Sequence, residues 1–101
     1  MKTHKITVRV GNDGIDVDPD TLVMTAADEV QWADAGSRRF TVEFEGNGPF
    51  NARRLDYASA TATQRPNARG RFKYSILSEA DPSLRLDPVI VVEDPPTGVT
   101  G

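Results

Sequence analysis

The sequence predicts an all-β domain, a two-sheet antiparallel sandwich with Greek-key connections. Three observations carry this expectation. Apolar and polar residues alternate in about seven short segments, the spacing that lays one face of a strand against a core. Clusters of Gly, Asn, Asp and Pro separate those segments, where a chain must reverse. No stretch keeps apolar spacings of three and four residues over the roughly 10 to 12 residues an ordinary helix needs. Short strands divided by turn signals pack as sandwiches or barrels, and sandwiches are commonly joined in Greek keys.

Ile6, Val8 and Val10 face one way and Lys5, Thr7 and Arg9 the other, giving a first strand. Gly11-Asn12-Asp13-Gly14 turns the chain, and Ile15 and Val17 resume the alternation as a second. After Asp18-Pro19, residues 21–25 are β-branched and apolar, and Val30 and Trp32 share a face in the next segment. Phe40, Val42 and Phe44 alternate with Thr41, Glu43 and Glu45, and residues 46–49 end that strand. Between residues 50 and 67 the pattern weakens into a long connection, with a short helical turn expected over 53–57. Phe72, Tyr74 and Ile76 then oppose Arg71, Lys73 and Ser75, and residues 88–93 form the last strand. Trp32 is expected in the core, filling the space between sheets.

A chain of 101 residues is long enough for one core, so residues 1–94 are read as one domain and 95–101 as a frayed tail. Hydrophobic residues make up 38% and charged residues 27%, the balance of a folded chain. No apolar run approaches the ~20 residues of a membrane-spanning helix, so no membrane partner is expected. A net charge of −3 gives no reason to expect nucleic acid. The absence of cysteine removes disulfides, thiolate metal sites and thiol nucleophiles together. Residues 1–10 do not have the form of a secretory signal. If Met1 is the native start the protein is expected in the cytoplasm; a removed signal would leave the compartment open.

Pro19 followed by Val23, then Asp28-Glu29-Val30-Gln31-Trp32, Phe40-Thr41-Val42, Gly70-Arg71-Phe72-Lys73-Tyr74-Ser75-Ile76 and the closing run from Pro88 to Glu93 form an ordered series. That series resembles the cupredoxins, the blue-copper electron-transfer proteins, over most of the chain. Ala27 stands where the Asp-x-Val-x-Trp motif usually has a preceding glycine. The resemblance implies the cupredoxin sandwich and also places the family's copper ligands on Phe40, Ile76, Glu79 and the stretch around Leu84. A blue-copper centre needs two imidazoles, a thiolate and a weak axial thioether. None of those groups stands at the four positions, so type-1 copper is excluded chemically and no cofactor is expected. Phe40, Ile76 and either Leu84 or Leu86 are expected to pack where copper would sit.

Other chemistry is sparse. Asp16, Asp18 and Asp20 mimic the opening of a calcium loop, but Thr21 and Ala27 stand where that loop needs glycine and glutamate. Strand alternation, with the aspartates in water, explains them instead. The single histidine, His4, lies near the N-terminus, and no nucleophile motif accompanies it. No enzymatic activity is expected; a cofactor-independent enzyme using a carboxylate pair, Glu79 with Asp81 or Glu43 with Glu45, is the distant alternative. Arginines gather in the middle of the chain: Arg38, Arg39, Arg53, Arg54, Arg65, Arg69 and Arg71. Solvated strand faces account for them; a second reading makes Arg53, Arg54, Arg69 and Arg71 a surface for an acidic protein or small anion. The expected function is therefore a metal-free binding or structural module of unknown partner.

Overall fold

Residues 2–36 and 38–94 are described by the computed structural model of this chain. The strands are β1 (Thr3–Val10), β2 (Ile15–Asp18), β3 (Thr21–Thr25), β4 (Glu29–Asp34), β5 (Phe40–Phe44), β6 (Arg54–Leu55), β7 (Gly70–Ser78), β8 (Arg85–Leu86) and β9 (Val89–Glu93). One 3-10 turn (Gly48–Phe50) and one short helix, α1 (Tyr57–Thr61), interrupt them. The expected tail, 95–101, lies outside the described residues.

Two sheets pack face to face. The smaller has the order β2-β1-β4 and the larger β3-β9-β7-β5-β6, with β8 also paired to β7. The sandwich is as the sequence predicts, but its sheets are mixed and not purely antiparallel. β1 and β4 run parallel, with Ile6 opposite Trp32, and β3 and β9 run parallel, with Leu22 opposite Ile90. The reason lies in the two residues that separate β2 from β3. The chain crosses from one sheet to the other at Pro19 and Asp20 without reversing. It reverses only after β3, at a turn closed by the Asp28 N–H on the Thr25 carbonyl at 3.0 Å. β4 thus re-enters the small sheet in the direction of β1.

Alternation drives the core as expected. Ile6, Val8 and Val10 of β1, Val30 and Trp32 of β4, and Phe40, Val42, Phe44, Tyr74, Ile76, Ile90 and Val92 of the larger sheet are buried in one cluster. Trp32 sits fully buried at its centre, edge-on to Phe50 and Tyr74 with ring centroids 5.9 and 5.7 Å away. Its indole N–H donates to the Tyr74 hydroxyl at 3.3 Å, which satisfies a polar group that would otherwise be costly in the core. Burial pushes the Tyr74 hydroxyl well above the usual phenol range.

The long connection is more ordered than expected. The helical turn anticipated over 53–57 is displaced: Arg54 and Leu55 pair with β5 as β6, because Leu55 opposite Val42 fills the core. Asp56 then caps α1, accepting the Ser59 N–H at 2.8 Å, which holds its carboxyl below the usual range. Gln64 exchanges two backbone hydrogen bonds of 2.8 Å with Val30, and the Gln31 side-chain amide donates to the Thr61 carbonyl at 2.9 Å. This segment thereby covers the outer edge of β4.

Candidate functional site

One end of the sandwich gathers the sequence-predicted positions. Phe40 opens β5, and the register sets it opposite Ser78, with Val42 opposite Ile76 and Ile76 opposite Leu86. Phe40 and Ile76 are therefore diagonal neighbours on the inward face, and both are fully buried. Leu84 and Leu86 pack against the same core from beyond the last long strand, and the Leu84 carbonyl accepts the Ser78 N–H at 3.1 Å. The fourth position, Glu79, does not join them: it is exposed, and its N–H donates to the Arg39 carbonyl at 3.1 Å.

A polar rim surrounds this apolar filling. Tyr57, the first residue of α1, lies edge-on to Phe40 at 5.3 Å and donates its hydroxyl to the Asp34 carboxylate at 3.2 Å. Partial burial, and then that carboxylate, raise the Tyr57 hydroxyl above its ordinary range. The Arg39 guanidinium lies over the Tyr57 ring, 5.6 Å from its centroid, a cation–π contact. Arg38 donates to the Asn12 side-chain carbonyl at 2.8 Å. Arg38, Arg39, Ser78, Glu79 and Ala80 line a cleft of about 380 Å3. A second cleft of about 320 Å3 shares Ser78 and Glu79 and continues past Glu43 to Arg54.

The four arginines singled out from the sequence fall into two places. Arg53 and Arg54 lie at the β6 edge, with Arg54 opposite Glu43. Arg69 and Arg71 lie at the start of β7, two strands away in the sheet order, where Arg69 pairs with Asp94 and Arg71 stands opposite Val91. Between them, on the outer face, Ser75 donates to Asp87 at 2.8 Å and receives Arg85 at 2.6 Å. Of the carboxylate pairs, Asp81 is engaged in its own turn, accepting the Ser83 hydroxyl at 2.6 Å, while Glu43 and Glu45 face outward.

The residues at the four positions that the resemblance matches to copper ligands do not fit copper. Two side chains there are hydrocarbon and fully buried, one is a half-buried leucine, and the carboxylate points to water. Among the described residues, no three His, Cys, Asp or Glu side chains are placed to hold a metal ion. His4 lies at the other end of the sandwich, where its Nε2 meets Asp28 at 3.0 Å. Residues that matter here and that sequence reasoning passed over are Asp34 and Ser78; the sequence sets Tyr57 beside Arg53 and Arg54 as part of a contact surface, whereas its contacts are with Phe40, Arg39 and Asp34. Ser78 did carry a signal, since it continues the inward parity of Phe72, Tyr74 and Ile76 with a polar side chain.

No family model matches the chain, and no curated protein matches it. Solved structures do. A pseudoazurin from Sinorhizobium superposes with a TM-score of 0.62 at 18% identity, covering 94% of this chain and 76% of that one. A variant of amicyanin in its reduced Cu(I) form at pH 4 gives 0.53 at 18% identity, covering 86% and 80%. An oxidised amicyanin variant gives 0.54 at 15%, with the same coverage. The fold is cupredoxin-like, and the ligand set that accompanies it in blue-copper proteins is missing.

Proposed function

We propose that this cupredoxin-like domain is a non-enzymatic binding module that holds no copper and works through the surface of its former metal end. The apolar filling by Phe40, Ile76, Leu84 and Leu86 carries this reading. A metal centre requires donor atoms pointing into a preformed space, and the side chains of Phe40, Ile76, Leu84 and Leu86 have nothing to donate. The same filling leaves the rim, with its arginines and carboxylates, as the part of this end able to recognise another molecule.

The test is elemental analysis and visible spectroscopy of the purified protein before and after incubation with Cu(I), Cu(II) and Ca(II). The expected result is a colourless protein with no stoichiometric metal. One equivalent of copper with an intense visible band would overturn the reading.

An acidic protein or small anion is the partner chemistry that supports best, because guanidinium groups outnumber carboxylates along the two joined clefts. Arg38, Arg39 and Arg54 line them against Glu43 and Glu79.

A further inference from the structure

We propose that the cleft between the loop entering β5 and the loop leaving β7 is a carboxylate-binding site, with Arg38 and Arg39 as the recognising groups. This deepens the binding-module reading and rests on it.

The first argument is unused donor capacity. A guanidinium offers five N–H groups in a planar fork that matches a carboxylate. Neither Arg38 nor Arg39 makes an ion pair among the described residues, although Arg65, Arg69 and Arg85 do. Arg38 donates once, to Asn12, and Arg39 rests on the Tyr57 ring. Tyr57 is itself held by Asp34, so the Arg39 fork is placed before any ligand arrives.

A second, independent observation comes from Ser78. Its residue is 4% exposed, yet it lines the cleft. Its hydroxyl oxygen accepts the Asp81 N–H at 3.2 Å, and among the described residues its own proton is given to no acceptor. A nearly buried hydroxyl with a spare proton, on a residue that lines the same cleft as Arg38 and Arg39, adds a neutral donor to two charged ones.

Glu79 selects within the anions. Its carboxylate in the same wall repels a dianion more strongly than a monoanion. Two arginines against one glutamate leave a single net positive charge, which suits one carboxylate and disfavours phosphate. The shared chemistry fits two sources, a free small carboxylic acid or an aspartate or glutamate side chain on a protein.

The test is titration of the intact protein with acetate, with an acetylated, amidated peptide carrying a single glutamate and with inorganic phosphate, followed by backbone amide shifts and calorimetry at low salt. Shifts at Ser78, Glu79 and Ala80 are expected with a carboxylate probe. The Arg39→Gln variant should weaken binding about tenfold or more, since a charge-assisted pair is lost. Arg39→Lys should restore only part, because the charge returns without the fork. Ser78→Ala reports on the hydroxyl, and the unliganded amide spectrum of each variant reports on folding. Peptide binding without acetate binding assigns the site to a protein partner, and equal binding assigns it to a free acid. No binding of either carboxylate in the millimolar range, binding unchanged in Arg39→Gln, or tighter binding of phosphate would each overturn the proposal. Copper uptake and carboxylate binding read different atoms, so failure here is distinguishable from failure of the metal-free reading.

Discussion

Asp28 concentrates several donors on one carboxylate. His4 Nε2 lies 3.0 Å from Oδ2, the Thr25 N–H reaches the same oxygen at 3.1 Å and the Lys2 N–H reaches Oδ1 at 3.2 Å. A carboxylate can only accept, so the imidazole carries its proton on Nε2. The hydrogen bond from His4, followed by the backbone bond from Thr25, lowers the Asp28 carboxyl from 3.8 to about 2. A carboxyl lowered by folding adds stability above its unfolded value and loses it as pH falls through the folded one. Relative to Asp28→Asn, the parent should therefore show a higher urea midpoint at about pH 6, with the difference fading between about pH 4 and pH 2. A difference independent of pH would refute this role. The Asp28-Glu29-Val30-Gln31-Trp32 run was visible in the sequence, but the three donors were not. His4 and Lys2 are more than twenty residues away in the chain, and only the parallel pairing of β1 with β4 brings them close. Ser78 shows the converse case, a strand parity legible in sequence whose meaning depends on what stands beyond the strand end.

At the scale of elements, the turn after β5 depends on two glycines of different kinds. Gly48 has a φ of +59°, and a Cβ built on it would lie 2.5 Å from the Phe44 ring. Gly46 has a φ of +74° with open space around its missing Cβ. Gly46→Ala should cost only backbone strain, about 1 kcal/mol, whereas Gly48→Ala should cost roughly 2 kcal/mol or more because the ring must also move. Chemical denaturation of both variants checks the order; equal midpoints would contradict it. The cluster of turn residues at 46–49 announced a reversal, but only the packed ring distinguishes its members. Elements of two residues were illegible for a simpler reason. A period of two cannot be read from Arg54–Leu55 or Arg85–Leu86, so β6 and β8 are recognised by partners and not by pattern. α1 was hidden by its small residues, although Asp56 with Ser59 is a capping pair that the sequence does contain.

Across the whole molecule, Trp32 belongs to the small sheet and meets Tyr74 of the large one, so it couples the two layers. Trp32→Ala removes a fully buried ring and leaves the Tyr74 hydroxyl without its indole donor. Equilibrium unfolding should show a loss of about 3–5 kcal/mol, a large part of what a domain of this size holds. A loss under about 1 kcal/mol would mean that the sheets hold together without it. That two sheets would form was legible from alternation, because alternation reports burial on one face. Strand direction was not, since parallel and antiparallel strands present the same period to the core. The crossing at Pro19 and Asp20 decided it.

That crossing also sets an order on synthesis. β9 alone lies between β3 and β7 in the large sheet, and it pairs Thr21 with Val89. While residues 89–93 remain inside the ribosome, β3 has no neighbour to receive its backbone and Ile90 and Val92 are missing from the core. The emerging chain can close the β1–β2 hairpin and pair β5 with β7, but β3 cannot yet join the larger layer. Completion waits for β9, the keystone that locks β3 to β7.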